Sequence, residues 1–169
     1  MTKARYSAIV FFTLILVSVA LPLFYYINLP DRVASHFNIT GRADGWMSKE
    51  SFLIVELSVI IPLSGFFYAI IHFLPKFPDS LINLPNKEFW LGEERREESL
   101  KMFQHMVYWI GSLTLGFLSL IFQEVHAVNL AGGNKITPNV WIYLIIFLSA
   151  IIFIILKMYL HFNRIDKSI

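Results

Sequence analysis

Four apolar stretches, residues 6–27, 52–74, 102–125 and 140–160, take up most of the chain. A helix that crosses the hydrocarbon of a bilayer needs about 20 mostly apolar residues at about 1.5 Å rise each. Each stretch meets that length with only a few polar side chains, near its ends. The sequence therefore predicts an all-α polytopic membrane protein, a bundle of four transmembrane helices. With 56% hydrophobic and 16% aromatic residues, a water-soluble chain of this size would be left with a large apolar surface, and membrane lipid is the partner that tolerates one. The connecting segments, an outer loop at 28–51 and an inner loop at 75–100, are too short for a separate soluble core, so residues 1–169 read as one domain.

Composition excludes several classes of chemistry. There is no cysteine, hence no disulfide, thiolate metal site or cysteine nucleophile. The net charge is only +2, and the basic residues do not gather into a stripe, so nucleic acid is not an expected partner. Lys3 and Arg5 before an apolar run, with Ser18-Val19-Ala20 following, invite comparison with a cleaved signal peptide. The run continues through Leu21 to Ile27, however, which suits a retained anchor.

The basic residues also predict an orientation. Lys3, Arg5, Lys76, Lys87, Arg95, Arg96, Lys101, Lys157, Arg164 and Lys167 fall on one side, against Arg32, Arg42, Lys49 and Lys135 on the other. The excess marks the cytoplasmic side and places both termini there. Tyr25, Tyr26, Trp46 and Trp141 then lie near the outer interface, and Phe89, Trp90 and Tyr159 near the inner one.

Within the spans, Pro62 with Gly65 is expected to kink the second helix, and Ser112, Gly116 and Ser119 offer a small-residue face to a neighbour. Glu56 stands out, since a carboxylate in lipid costs about 2.5 kcal/mol or more. It is read either as a proton or cation site shared with Glu124 and His126, or as an interface residue paired with Lys49 or Arg42. His72, Gln104, His105 and His161 fall near the inner face, where polar helix ends are ordinary.

The outer loop is dense in turn chemistry. Pro30 stops the first helix, Asn38 and Gly41 suit a tight reversal, and Asp44-Gly45 delivers Trp46 back toward the interface. The loop is expected to be an ordered cap. Ser48 and Ser51 offer hydroxyls to the start of the next helix. His36 admits three readings, as a metal ligand together with Asp44, Glu124 and His126, as a pH-sensitive element, or as a structural residue that fixes the turn, and a contact to a partner is weighed beside them. No ligand spacing supports the first. In the inner loop, Pro75, Pro78 and Pro85 are expected to keep the chain extended and Phe89-Trp90-Leu91 to dip toward the headgroups, with the third helix beginning past Gly92.

The spacing of Leu29, Pro30, His36, Phe37, Asn38, Gly41, Asp44, Trp46 and Lys49 resembles the signature of a bacterial membrane-domain family of unknown function. The same domain forms the N-terminal part of the immunity proteins of the Sdp type, directed against a sporulation-delaying toxin. The segment from Ile82 to Leu91 with Arg95-Arg96 is similar to one branch of these proteins. The resemblance implies a bacterial inner-membrane protein that protects against a secreted membrane-active toxin, and in some members capture of a repressor at the membrane.

Three functional classes follow from the sequence. The first is a non-enzymatic protein that recognises a peptide, lipid or protein at its outer loop through the signature residues together with Gly45. The second is a small ion-coupled transporter or complex subunit using Glu56, Glu124 and His126, which would need a homo-oligomer to enclose a path. The third is an enzyme, disfavoured because no zinc-protease, phosphate-loop or nucleophile-elbow motif is present. No cofactor or metal is expected. The orientation has a direct test: cysteine placed at position 44 should react with an impermeant thiol reagent from outside the cell, and labelling only after the cytosolic face is opened would reverse the topology.

Overall fold

The structure, a computed structural model, describes residues 3–164; Lys167, counted above for orientation, lies outside the described residues. The chain runs as α1 (Lys3–Tyr26), β1 (Arg32–Phe37), β2 (Ala43–Ser48), α2 (Lys49–Phe73), two 3-10 turns, a short α3 (Lys87–Trp90), α4 (Arg96–Leu130) and α5 (Asn139–Asn163). Four helices are long and apolar enough to cross a membrane: Arg5–Tyr26, Lys49–Lys76, Arg96–Leu130 and Asn139–Asn163. The protein is a multi-pass membrane protein.

The helices are not an even four-membered bundle. α1, α2 and α4 pack on one another, whereas α5 leans on α4, and none of the residues in its most apolar window is buried. Phe117 of α4 stacks on Phe147 of α5, with ring centroids 4.6 Å apart. At 35 residues, α4 is about 52 Å long, well beyond the ~30 Å hydrocarbon core, and so overhangs at both ends. Each overhang supports a cap.

Between the caps, Phe11, Ile60, Ile71, Val107 and Leu115 form the buried centre of the three-helix body. The close approach of α1 and α4 occurs at Gly111, where a Cβ would stand 2.7 Å from the Phe11 ring. Ser119 belongs to the same contact, its hydroxyl 2.8 Å from that of Ser18. Gly116, expected to do the same work, has nothing within 4 Å of a built Cβ. It turns toward a groove bounded by α1, α4 and α5. α2 runs unbroken through Pro62.

One end carries a correction to the all-α expectation. The loop between α1 and α2 is a two-stranded antiparallel hairpin, β1 against β2. Ser48 opens α2 as expected, its hydroxyl accepting from Ser51 N at 3.2 Å. Asn129, in the overhang of α4, clamps the hairpin: its carbonyl oxygen accepts from Ala34 N at 2.7 Å, and its amide donates to Ala34 O at 2.9 Å. Beneath that clamp Leu29, Val33, Phe52 and Val125 form a buried cluster.

The opposite cap also departs from the sequence reading. Residues Leu74–Lys76 and Asp79–Leu81 form 3-10 turns instead of extended chain. Arg96 holds them, donating to the Asp79 carboxylate, Pro75 O and Phe77 O. Trp90 ties this segment to the end of α5. Its ring nitrogen donates to Phe162 O at 2.7 Å, and the Asn86 amide donates to Phe162 O and Asn163 O, so the last carbonyls of α5 find donors. Leu91 is buried with Leu84, Leu100 and Phe162. The polar residues of this half are held separately: Gln104 donates to Ile71 O, His105 meets Ser7, His72 stacks on Tyr68, and His161 lies against Trp90.

Asn129→Ala removes both bonds to Ala34 and leaves buried backbone groups unpaired, so it should cost about 1–3 kcal/mol. Thermal unfolding in detergent measures the loss, and amide exchange should quicken at Ala34 before it does in the centre of α4.

Candidate functional site

Two features at the hairpin end carry chemistry: the hairpin with the cleft beneath it, and a buried pair inside the helices. The hairpin tip is built by Asn38. Its side-chain oxygen accepts from Thr40 N, Thr40 Oγ1 and Arg42 N, while Asn38 N donates to Arg42 O and Gly41 N to Asn38 O. Gly41 takes φ +79°, a conformation that side-chain-bearing residues rarely adopt, and its carbonyl accepts from Ile136 N in the α4–α5 loop. Ala43 N donates to Asn134 O, so that loop is bonded to the hairpin at two points.

The strand register is irregular on both sides of His36: Ala34 faces Trp46, His36 faces Gly45, and Phe37 faces Ala43. Ser35 is therefore the extra residue on β1 and Asp44 the extra residue on β2. Such bulges redirect side chains. Here His36 Nδ1 meets Asp44 Oδ1 at 2.5 Å, on an exposed face. Gly45 is required across from it, since a Cβ there would stand 2.9 Å from His36 Cβ. Trp46 lies on the open side with the Arg32 guanidinium 5.6 Å from its ring, and Lys49 pairs with Asp31 at 3.0 Å. Pro30 is exposed just past the end of α1, and Phe37 is half-buried against the cluster under the hairpin.

A cleft of about 480 Å³ opens between the hairpin, α4 and the start of α5. Its floor is apolar, from Phe52, Phe122 and Val125. Its rim carries polar groups from Asn38, Thr40, Lys135 and Thr137 beside the exposed Ile39. Phe37 and Trp141 also line it, which puts part of the hairpin signature on one wall.

The buried pair is Glu56 of α2 and His126 of α4, each side chain 1% exposed. Glu56 lies seven residues into α2, about 10 Å from its start. His126 Nε2 stands 3.2 Å from both carboxylate oxygens, with hydrogen-bond geometry to Oε2. Tyr25 of α1 stacks on the imidazole at 4.6 Å, and the Phe52 ring lies edge-on at 5.6 Å. Glu56 thus pairs with neither Lys49 nor Arg42. Glu124 does not join the pair; it accepts from Thr137 and Tyr143, toward α5. His36 and Asp44 stay with each other in the hairpin. Among the described residues no three histidine, aspartate or glutamate side chains gather in a metal-holding group.

Sequence reasoning missed Asn129, Phe52, Tyr25 and Ser18. A signal existed for Asn129, an amide three residues beyond His126 on the same helix face.

Residues 13–61, covering most of α1, the hairpin and the first half of α2, match the family described as Domain of unknown function (DUF1648). An uncharacterized protein of Archaeoglobus fulgidus is 29% identical over 149 residues, which cover 82% of this chain and 77% of that protein. No solved structure matches the chain. The matched family segment supplies Tyr25, the hairpin and Glu56, but its partners His126 and Asn129 come from α4, outside that segment.

Breaking a buried pair from one side strands the other group, at a typical cost of about 3–5 kcal/mol, whereas apolar replacement of both is close to neutral. Glu56→Leu and His126→Leu should each lower the unfolding temperature in detergent sharply. The double variant should recover most of the loss.

Proposed function

We propose that this chain is a non-enzymatic recognition protein of the bacterial inner membrane, with the hairpin outside and both termini in the cytoplasm. In this reading it binds an amphipathic, membrane-active peptide in the cleft under the hairpin. The observation that carries the reading is the build of that cleft: an apolar floor formed by helices, and a rim of amide, hydroxyl and ammonium groups formed by loops. A peptide lying along the outer surface with one apolar face would bury it against Phe122 and Val125 and leave its polar face to Asn38, Thr40 and Lys135. Pockets of this size with a few convergent polar groups are typical ligand sites.

Three further points support it. The hairpin is bonded to α4 through Asn129 and to the α4–α5 loop through Gly41 and Ala43, so its wall of the cleft is braced from two sides. The titratable side chains lining the cleft are His36 and Lys135, and the His36 ring is already engaged by Asp44, which leaves the Lys135 ammonium as the cationic group for the polar face of a peptide. The resemblance of the hairpin signature to Sdp-type immunity proteins favours a peptide as the ligand and protection from it as the outcome.

A photoreactive phenylalanine analogue in place of Ile39, whose side chain lines the cleft and is 84% exposed, should form adducts with a membrane-active peptide added from outside. Val140→Trp, which fills the cleft from the first turn of α5, should remove those adducts without lowering the unfolding temperature. Equal yields in the filled variant, or adducts with phospholipid alone, would overturn the proposal.

A further inference from the structure

The Glu56–His126 pair leaves two buried polar atoms without a hydrogen bond, Glu56 Oε1 and His126 Nδ1. A buried polar atom that goes unpaired costs as much as a lost hydrogen bond, so such atoms ordinarily have a protein or water partner. Beside His126 lies a small cavity of about 10 Å³, lined by Ser18, Leu21, Pro22 and Tyr25 of α1, Ile60 of α2, and Ser119, Phe122, Gln123 and His126 of α4. That volume accommodates about one water molecule, and a buried water needs two to four polar partners.

The lining supplies them. Ser18 and Ser119 contribute hydroxyls 2.8 Å apart, either of which can donate. Pro22 lies inside α1 and has no N–H, so the carbonyl four residues back, that of Ser18, lacks its helical donor. Gln123 adds an amide. His126 Nε2 is committed to Glu56, which leaves Nδ1 as the ring atom that needs a partner.

We propose that this cavity binds one water molecule, and that Glu56, His126 and this water form a single proton-holding unit inside the membrane, closed at its far end by Ser18 and Ser119. The charge balance favours such a unit. An ionised carboxylate against an imidazolium and a carboxylic acid against a neutral imidazole are both neutral overall, and they differ only in where one proton sits. Removing that proton, or adding another, leaves a net charge buried among Phe52, Tyr25 and Ile60, which lipid and apolar side chains penalise.

The other titratable groups on the packed elements are held elsewhere. On α2, Glu50 accepts from Tyr26 and Lys49 pairs with Asp31; on α4, Glu124 is bound by Tyr143 of α5 and by Thr137; on the hairpin, His36 pairs with Asp44. Tyr25 presents its ring face to the imidazole. The unit is also a dead end. Phe11 and Leu115, both 0% exposed, fill the α1–α4 contact on its far side, so the geometry points to a proton held in place and not to a path across the membrane.

The test uses the full chain in lipid bilayers with ¹⁵N-labelled histidine, and magic-angle-spinning NMR with short-range transfer from water protons to the His126 ring. Nδ1 should receive transfer in the natural sequence. The transfer should be lost in Ser119→Val, which grows into the cavity, and kept in Ser119→Ala, which does not. Should Ser119→Val fail to fold, Ile60→Phe fills the same space from α2 and is read in the same way. Glu56→Gln keeps the shape but cannot share a proton in the same manner, so it should shift both ring nitrogens. Absence of transfer to Nδ1 in the natural sequence, transfer that survives a filled cavity, or ring nitrogens unmoved in Glu56→Gln would each overturn the proposal. None of these readouts involves the outer cleft, so the inference stands or falls apart from peptide binding.

Discussion

Helices in lipid are not driven together by apolar contact as they are in water, because the surrounding tails are as apolar as the side chains they would exchange for. What ties this fold together is a ladder of polar side chains on α4, answered by α2, α1 and β1. From one end to the other, Gln104 reaches a backbone carbonyl of α2, His105 meets Ser7 of α1, Ser119 meets Ser18 of α1, His126 meets Glu56 of α2, and Asn129 holds Ala34 of β1. Close packing supplements the ladder at Gly111, where the Phe11 ring lies against bare helix backbone. α4 is therefore the strut on which the other elements are registered, and its excess length over the bilayer lets it carry a cap at each end.

The spans were legible because the signal for them is one-dimensional: about 20 apolar residues in a row need no knowledge of neighbours. The hairpin was legible as turns and not as strands. Asn38, Gly41 and Asp44-Gly45 announce reversals, but two opposed bulges break the alternation by which strands are recognised, and Val33 and Ala34 are buried in succession. The connection between α2 and α4 was misread for a related reason. Its prolines suit extended chain, yet they also suit the first turn of 3-10 segments, and only Arg96 and the end of α5 decide between the two.

The polar residues show the same limit. Glu56, Glu124 and His126 are visible as residues that lipid dislikes, but which of them meet is a matter of helix phase. Glu124 and His126 are two residues apart, about 200° around α4, so they cannot both face α2. One looks toward Glu56 and the other toward Tyr143 of α5. Likewise Gly111 and Gly116 are about 140° apart, and only the former faces α1. Pro22 was overlooked although the reasoning applied to Pro62 covers it equally. Its meaning emerges only when Ser18, whose carbonyl it frees, is found lining one cavity with a histidine from another helix.

Along its most apolar stretch α5 leans on α4 alone and none of its residues is buried, and this has a bearing on biogenesis. Chains emerge from the ribosome N-terminus first. Every cross-helix bond of the ladder is available once α4 has entered the bilayer, while α5 is still to be made; Glu124 is the acidic group that waits for the last span to bring Tyr143. α5 then arrives at a three-helix body that is already internally matched, seals the flank of a mouth whose other walls are in place, and brings Phe162 to complete the cap at the opposite end.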